Sequence, residues 1–292
     1  MRNMPQLVCV LVGLVVLATM ASAAPKRATM RFHERDGSHH PRDHHHHSSS
    51  SSSSSSSSLN ARDYAASPRS YIPNCAKTAT FIPYDGNSNN GGPGVELTNA
   101  DSEERSFYFY ENSCDDVPFQ YISLPPQATQ FVSLAPGFQG RITRGTDEFN
   151  LQGRSQWLGT WVELTVNPDG QAWGDVSLIR GCDGAVTMKA LDGSEKRLGF
   201  EDWLLDGAPE DAYDTKESGV RVLRATGDVP LTAGEIKADD PHVVLLRQQA
   251  SARDYLNSKI DFKDAYIDNH HGNPVAGSIN GQFAVTFLKG RP

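Results

Sequence analysis

The sequence predicts an all-β fold, namely a β-sandwich with loop-rich extensions and a few short helices. Short runs in which apolar and polar residues alternate recur at intervals of about ten residues, a pattern typical of sandwich strands. Gly or Pro residues stand in most of the gaps between these runs. No internal repeat is visible, and the 234 residues from Leu59 onward can form one large β domain or two small ones. We assign residues 71–292 to one sandwich domain.

The predicted elements follow an Asn- and Gly-rich loop at residues 87–94. The predicted strands are 95–98, 106–110, 121–124, 130–134, 140–143, 161–166, 173–179, 185–190 and 281–287. The Pro-Pro pair at 125–126 marks a hairpin-like break between two of these strands. Residues 201–205 and 251–256 are predicted as short helices, whereas 260–267 is ambiguous, with a strand favoured.

The most informative stretch is a hairpin formed by residues 161–166 and 173–179, with Asn-Pro-Asp-Gly at 167–170 as its turn. The proline presets φ, and the glycine can adopt the left-handed conformation of a three-residue loop. Counting back from this loop places Glu163 directly opposite Asp175. Directly opposed like charges destabilise a strand pair. The pair is therefore either functional or a solvated pair with a basic residue between its members.

Alternation on the same hairpin decides which side chains face the core. Val162, Leu164 and Val166 are predicted to point inward, because they form the aliphatic set. The carboxylates then lie on the other face together with Trp161 and Trp173. Tryptophans beside carboxylates suit the stacking of sugar rings and hydrogen bonding to sugar hydroxyls, although both indoles can also serve to cover a loop.

The amino-terminal residues predict secretion. Arg2 precedes an apolar run at residues 7–18, which is followed by the small residues Ala-Ser-Ala at 21–23. This is the layout of a cleaved signal peptide, 1–23, and its apolar run is too short for a membrane span. We therefore expect a soluble, extracellular protein with no membrane partner. Lys-Arg at 26–27 is either a dibasic processing site or two ordinary tail charges.

Residues 24–70 are predicted to be disordered, because their composition offers too little apolar surface to offset the entropy of ordering. The segment contains four consecutive histidines at 44–47 and eleven serines at 48–58. Imidazole is a common metal ligand, but without a folded scaffold we expect no specific metal site and no cofactor. Cys-x-x-Cys and Cys/His spacings typical of structural zinc are also absent from the sequence.

The folded part of the chain is predicted to be acidic. Of the 27 basic and 35 acidic side chains, six and three lie upstream of Leu59, so the remainder carries a net charge of −11. This charge argues against nucleic acid as a partner, since its binders neutralise phosphates with basic stripes. It also argues against anionic membrane surfaces.

Cysteine usage predicts one disulfide. Cys9 leaves with the signal peptide, so Cys75, Cys114 and Cys182 remain. An odd number in a secreted protein means one pair and one free thiol, or an intermolecular bridge. Because Cys114 and Cys182 both fall inside the strand-rich region, we expect them to pair and Cys75 to stay free.

Four motifs follow one another in the central part of the chain. Phe-Gln-Gly-Arg-Ile at 138–142 is followed by Arg-Gly-Thr at 144–146, Trp-Val-Glu-Leu at 161–164 and Gly-Asp-Val-Ser-Leu at 174–178. This series resembles the central motifs of thaumatin-like (osmotin-type) proteins. In that family a Gly-Arg-Ile/Phe-Trp stretch precedes strands of the Glu-Phe-Thr-Leu and Tyr-Asp-Val-Ser-Leu types. Phe-Ala-Val-Thr-Phe at 283–287 is similar to the family's last strand. The chain looks more like the divergent, cysteine-poor secreted forms found in fungi than like the plant proteins.

The resemblance implies a β-sandwich core with an acidic cleft on the sheet face, whose carboxylates here would be Glu163 and Asp175. Many members carry a second Asp five residues after the first, where this chain has Arg180. We expect Arg180 to pair with Asp175 and lower its pKa. Asp183 is a nearby substitute that no motif supports.

Two functions follow from these residues. In one, a face formed by Trp161, Glu163, Trp173, Asp175 and their neighbours Arg180 and Asp183 binds a β-glucan or a host extracellular protein. In the other, Glu163 and Asp175 hydrolyse β-1,3-glucan, one as general acid and one ionised. Binding is favoured, because Arg180 interrupts the acidic set and a low-complexity tail suits a secreted interaction protein. Such a protein would act at a cell wall or host surface, as an effector or a wall-associated protein.

Overall fold

Two β-sheets with a shared hydrophobic core organise the described part of the chain. The computed structural model describes residues 75–86, 89, 91–112, 114–154, 157–227 and 241–292. All of these lie within the unit 56–292. The predicted signal peptide, the His/Ser-rich segment and the dibasic pair lie outside the described residues.

The elements of the described residues are short, as expected for a sandwich. The strands in chain order are β1 (Thr80–Ile82), β2 (Gly94–Asn99), β3 (Arg105–Glu111), β4 (Gln120–Leu124), β5 (Thr129–Ser133), β6 (Gln139–Gly145), β7 (Trp161–Val166), β8 (Ala172–Ser177), β9 (Gly184–Ala190), β10 (Arg197–Gly199), β11 (Tyr213–Thr215), β12 (Arg221–Leu223), β13 (Ala276–Ser278) and β14 (Gln282–Gly290). The helices are α1 (Asp147–Asn150) and α2 (Pro241–Asn257), with a 3-10 turn at Glu210–Ala212.

The strands form a seven-stranded sheet in the order β1-β4-β3-β6-β7-β8-β13 and a five-stranded sheet in the order β10-β9-β14-β2-β5. A separate antiparallel pair joins β11 and β12. The chain is therefore all-β, as the sequence predicts. None of the described helices is long and apolar enough to cross a membrane.

The core lies between the two sheets. One cluster of buried side chains draws Phe107 and Ile142 from the seven-stranded sheet and Leu97 and Val285 from the five-stranded sheet. Val162, Leu164 and Val166 belong to this cluster, which confirms the inward face predicted for β7. Burying each such side chain contributes roughly 1.5–3 kcal/mol.

The predicted hairpin is confirmed. Asn167 donates its backbone N–H to the Gln171 carbonyl at 2.7 Å, and Gly170 donates to the Asn167 carbonyl at 2.9 Å. Gly170 has φ of +87°, the left-handed conformation that the turn requires. The register sets Glu163 opposite Asp175, as counted from the sequence.

Three local predictions are wrong. The Pro-Pro pair at 125–126 separates strands of different sheets, because β4 pairs with β1 and β3 whereas β5 pairs with β2. Residues 201–205 have bends and irregular backbone instead of a helix, and Gly199 and Gly207 on either side have positive φ, which a helix does not use. Residues 260–267 form turns with a single bridge to β8. The helix predicted at 251–256 is present as part of α2.

The disulfide joins Cys75 to Cys114, so the predicted Cys114–Cys182 pair is wrong. β1 lies against β4 at the edge of the larger sheet, and this brings Cys75, just before β1, to Cys114, just after β3. Cys182 has a buried free thiol. Its backbone forms an isolated antiparallel β-bridge with Leu223. Burial and the negative charge of Asp183 raise the pKa of the Cys182 thiol to about 11, so the reactive thiolate is disfavoured.

Candidate functional site

Glu163 and Asp175 form a buried carboxylate pair on the outer face of the seven-stranded sheet. They are 7% and 1% exposed, so the solvated-pair interpretation is wrong. Burial raises the pKa of Glu163 to about 7, an effect that the positive charges of Arg141 and Arg180 only partly offset. Burial and then the charge of Glu163 hold the pKa of Asp175 well above its ordinary value. Among the described residues, Asp175 Oδ1 has no hydrogen-bond partner.

Arg141 covers one side of this pair, although it is not among the site residues predicted from the sequence. The register places it on β6 directly opposite Glu163. Its guanidinium lies between two rings, with Cζ 4.4 Å from the centroid of Tyr110 and 4.2 Å from that of Trp161. Its Nη1 donates to Asp115 at 2.5 Å. Extending the register count from β7 to β6 would have found it.

The prediction that Arg180 pairs with Asp175 and lowers its pKa is wrong, because burial and Glu163 raise the pKa of that carboxyl. The guanidinium of Arg180 instead lies over Trp157, with Cζ 4.9 Å from the ring centroid. The residue follows the end of β8, where a turn directs the chain away from the strand. Its positive charge acts on Glu163, whose pKa it lowers in part.

Asp183 belongs to a different cluster. Its carboxylate pairs with Arg144 Nε at 3.1 Å and Lys216 Nζ at 2.7 Å, and it accepts the backbone N–H of Thr160 at 3.3 Å. The contacts with Arg144 and Thr160 are buried and the one with Lys216 is partly buried, so this carboxylate neutralises cations in the packed interior. Trp173 is half-buried on β8, where it pairs with Gly277 of β13.

A cleft of about 190 Å³ opens beside Trp161. Trp157, a second residue that sequence reasoning missed, lines it with a ring 5.7 Å from that of Trp161 and remains 36% exposed. Thr143 Oγ1, Thr146 Oγ1 and Trp161 Nε1 belong to lining residues and are buried without a hydrogen-bond partner in the described part of the chain. Buried polar groups normally have a partner, so three unpartnered ones beside a single cleft call for an explanation.

Metal chemistry is not indicated by the arrangement of the described side chains. In the ranges given above, no group of three or more His, Cys, Asp and Glu side chains is placed to hold a metal ion.

We expect Glu163→Gln to increase the free energy of unfolding by roughly 3 kcal/mol at pH 8 and to leave it almost unchanged at pH 4. The pKa of Glu163 rises from 4.5 to about 7 on folding, so the folded protein binds this proton more tightly. The contribution of Glu163 to the free energy of unfolding is therefore fully present below about pH 4.5 and is lost as the pH rises through about 7. Urea unfolding across this range measures the effect.

Glu148→Gln is the control for this experiment, because Glu148 is an exposed carboxylate on α1. Its profile should follow that of the parent. Parallel profiles for Glu163→Gln and the parent would mean that Glu163 ionises normally, and the buried pair would be rejected.

The comparisons with known proteins add little. No protein-family model matches this chain, and no curated protein matches it either. Among solved structures, that of the protein elicitor MoHrip2 from Magnaporthe oryzae is similar to part of the fold. The similarity covers 38% of this chain and 78% of that chain, with 9% sequence identity and a TM-score of 0.28. At this TM-score the match carries no conclusion about family or function.

Proposed function

We propose that this chain is a secreted, thaumatin-like sandwich protein that binds carbohydrate at a cell wall or host surface through the cleft beside Trp157 and Trp161. The observation that supports this function best is the combination of aromatic rings with three buried polar atoms that have no partner among the described residues. Aromatic faces stack on the C–H faces of sugar rings, and the free polar atoms can bond their hydroxyls.

The size of the cleft limits what enters it. Pockets for drug-sized ligands measure about 300–1,000 Å³, so a cleft of about 190 Å³ takes a single pyranose ring. The remaining units of a polysaccharide would lie on the surface outside it. Trp157, the exposed ring at the mouth, is placed to contact the next unit.

Hydrolysis is the weaker candidate. The separation expected between opposed Cβ atoms, about 4.5–5.5 Å, is compatible with a retaining glycosidase. However, Glu163 and Asp175 are nearly inaccessible, and Arg141 and Trp161 lie beside them. A glycosidic oxygen must reach both carboxyl groups in such a reaction, and this packing leaves no path to them.

Binding to particulate β-1,3-glucan tests the proposal, with co-sedimentation and released reducing sugar scored separately. We expect the parent to co-sediment without releasing sugar. Trp157→Ala should weaken binding about tenfold through lost stacking. Thr143→Val should weaken it about two- to tenfold through a lost hydrogen bond, without loss of stability, because its hydroxyl has no described partner.

Ile279→Ala is the control, since Ile279 is an exposed apolar residue in the turn between β13 and β14. It should bind like the parent. Sugar release by the parent that Glu163→Gln abolishes would replace the binding function with the hydrolase. Absence of co-sedimentation by the parent would reject glucan as the ligand.

A further inference from the structure

A second aromatic surface lies at the β1 edge of the seven-stranded sheet. Phe81 on β1 is 50% exposed and Tyr84, in the loop after β1, is 43% exposed. The ring of Phe81 lies 5.1 Å from that of Tyr121 on β4. We call Phe81, Tyr84 and Tyr121 the edge platform. Large aromatic rings exposed side by side are uncommon on the surfaces of soluble proteins, and they mark sites of contact with a ligand or partner.

The edge platform is held in place by the fold. β1 pairs in parallel with β4, and the Cys75–Cys114 disulfide anchors the chain just before it. The loop after Tyr84 is fixed by the buried amide of Gln130. Its Oε1 accepts the backbone N–H of Gly86 at 2.9 Å, and its Nε2 donates to Asp85 Oδ1 at 2.9 Å. The rings are thus pre-positioned, which lowers the entropy cost of binding.

The charge around the edge platform narrows the ligand class. The rings border a broad depression of about 580 Å³. The described residues that line it also include Glu104 and Asp147, which have carboxylates, and Ser123, which has a hydroxyl. No Lys or Arg is among these described lining residues. Carboxylates accept hydrogen bonds from hydroxyls and repel anions. A neutral polyhydroxylated ring therefore fits better than a phosphate, a nucleic acid or an acidic peptide.

The edge platform and the cleft lie in one row across the sheet. Phe81 pairs with Tyr121, Tyr121 with Tyr108, and Tyr108 with Thr143, which adjoins Trp161 in the cleft lining. The row crosses four inter-strand steps of about 4.8 Å, so its ends are roughly 19 Å apart.

Helix α1 is the common wall of the two sites. Asp147 lines the depression beside the edge platform, while Asn150 lines the cleft. The helix covers Tyr108, whose hydroxyl donates to Asp147 Oδ1 at 2.5 Å. Burial and this carboxylate raise the pKa of Tyr108, so the hydroxyl remains a donor. A chain that leaves the cleft over the exposed side of α1 would arrive at the edge platform.

We propose that the edge platform is a second glucan-binding subsite, and that one polysaccharide chain occupies it and the cleft together. This inference rests on the function proposed above. It makes the ligand a polymer, because an oligosaccharide that fills the cleft is too short to span both sites. Joining two weak sites on one ligand raises apparent affinity through effective concentration, by about 10²–10⁴ in favourable cases.

Two probes separate the subsites, a soluble β-1,3-linked trisaccharide followed by calorimetry and particulate β-1,3-glucan followed by co-sedimentation. Phe81→Ala and Tyr84→Ala should bind the trisaccharide like the parent but lose tenfold or more of their affinity for the particles, roughly in line with lost avidity. Tyr84→Phe keeps the ring and should bind the particles like the parent. Trp157→Ala should weaken binding of both probes, and Ile279→Ala neither.

Each contrary outcome is distinct. Unchanged particle binding by Phe81→Ala and Tyr84→Ala, with Trp157→Ala still impaired, rejects the edge platform and leaves the cleft in place. A parent that binds neither probe rejects the function proposed for the cleft. Binding of a Pro-x-x-Pro peptide that Phe81→Ala abolishes, with glucan binding unaffected, would assign the edge platform to a protein partner instead.

Discussion

Replacing Asp183 by alanine should lower the free energy of unfolding by about 3–5 kcal/mol, because the change leaves the buried guanidinium of Arg144 without its counterion. Asp183 pairs with Arg144 and Lys216, and the side chains of Asp183 and Arg144 are each 1% exposed. Arg144 keeps two acceptors, the carbonyls of Leu288 and Ala185, so part of its hydrogen bonding survives. Its positive charge, however, stays in the core without compensation. Guanidinium chloride unfolding measures the loss.

The matched control is Glu210→Ala, which also removes a carboxylate from an arginine. Glu210 pairs with Arg221 on the surface, and both side chains are exposed. Exposed ion pairs contribute at most about 1 kcal/mol, so this variant should resemble the parent. Equal, small losses in both variants would show that the Asp183 cluster is solvated rather than buried.

Replacing both disulfide cysteines by serine should lower the free energy of unfolding by about 4 kcal/mol in the chain-entropy model. Cys75 and Cys114 are 39 positions apart, and cross-linking them removes conformational freedom mainly from the unfolded chain. The parent measured in a reducing agent should match the double variant, since both lack the same bond. The midpoint of denaturant unfolding reports the difference.

Mass spectrometry of proteolytic peptides tests the pairing itself. A peptide that links Cys75 to Cys114 is expected, together with a Cys182 that reacts with an alkylating agent only after unfolding. A peptide that links Cys114 to Cys182 would contradict the structure. It would also detach the residues before β1 from the sheet edge and so remove the support for the edge platform.

The features predicted well from the sequence are local. The proline and glycine of the turn at 167–170 specify its conformation. Because side chains alternate along a strand, the turn then assigns every side chain of β7 and β8 to one face of the sheet. Glu163 and Asp175 were found opposite each other for this reason. Their burial was not foreseeable from the hairpin, because it depends on Arg141 and Trp161 and on how other strands pack around them.

The features predicted poorly depend on contacts between distant segments. β1 is three residues long, which is too short to show the alternation of a strand. The sequence therefore does not predict the pairing of β1 with β4 that brings Cys75 close to Cys114. Trp157 lies in a loop, where neither a helical nor a strand period assigns a face. Pro125 indicates a break between strands but not its kind, because proline suits both a hairpin turn and a chain that passes from one sheet to the other.

The position of β14 governs the order in which this sandwich can be completed. β14 lies between β9 and β2 in the five-stranded sheet, and its parallel pairing with β2 joins Gln282 to Gly94, 188 positions earlier. The chain loses the conformational entropy of this long loop before the contact between β14 and β2 stabilises it, and this slows folding. Until β14 inserts, β2 and β9 each present an unpaired edge that can recruit a strand from another molecule. The edges of β2 and β9 therefore remain open to pairing with other chains until residues 282–290 have joined the sheet.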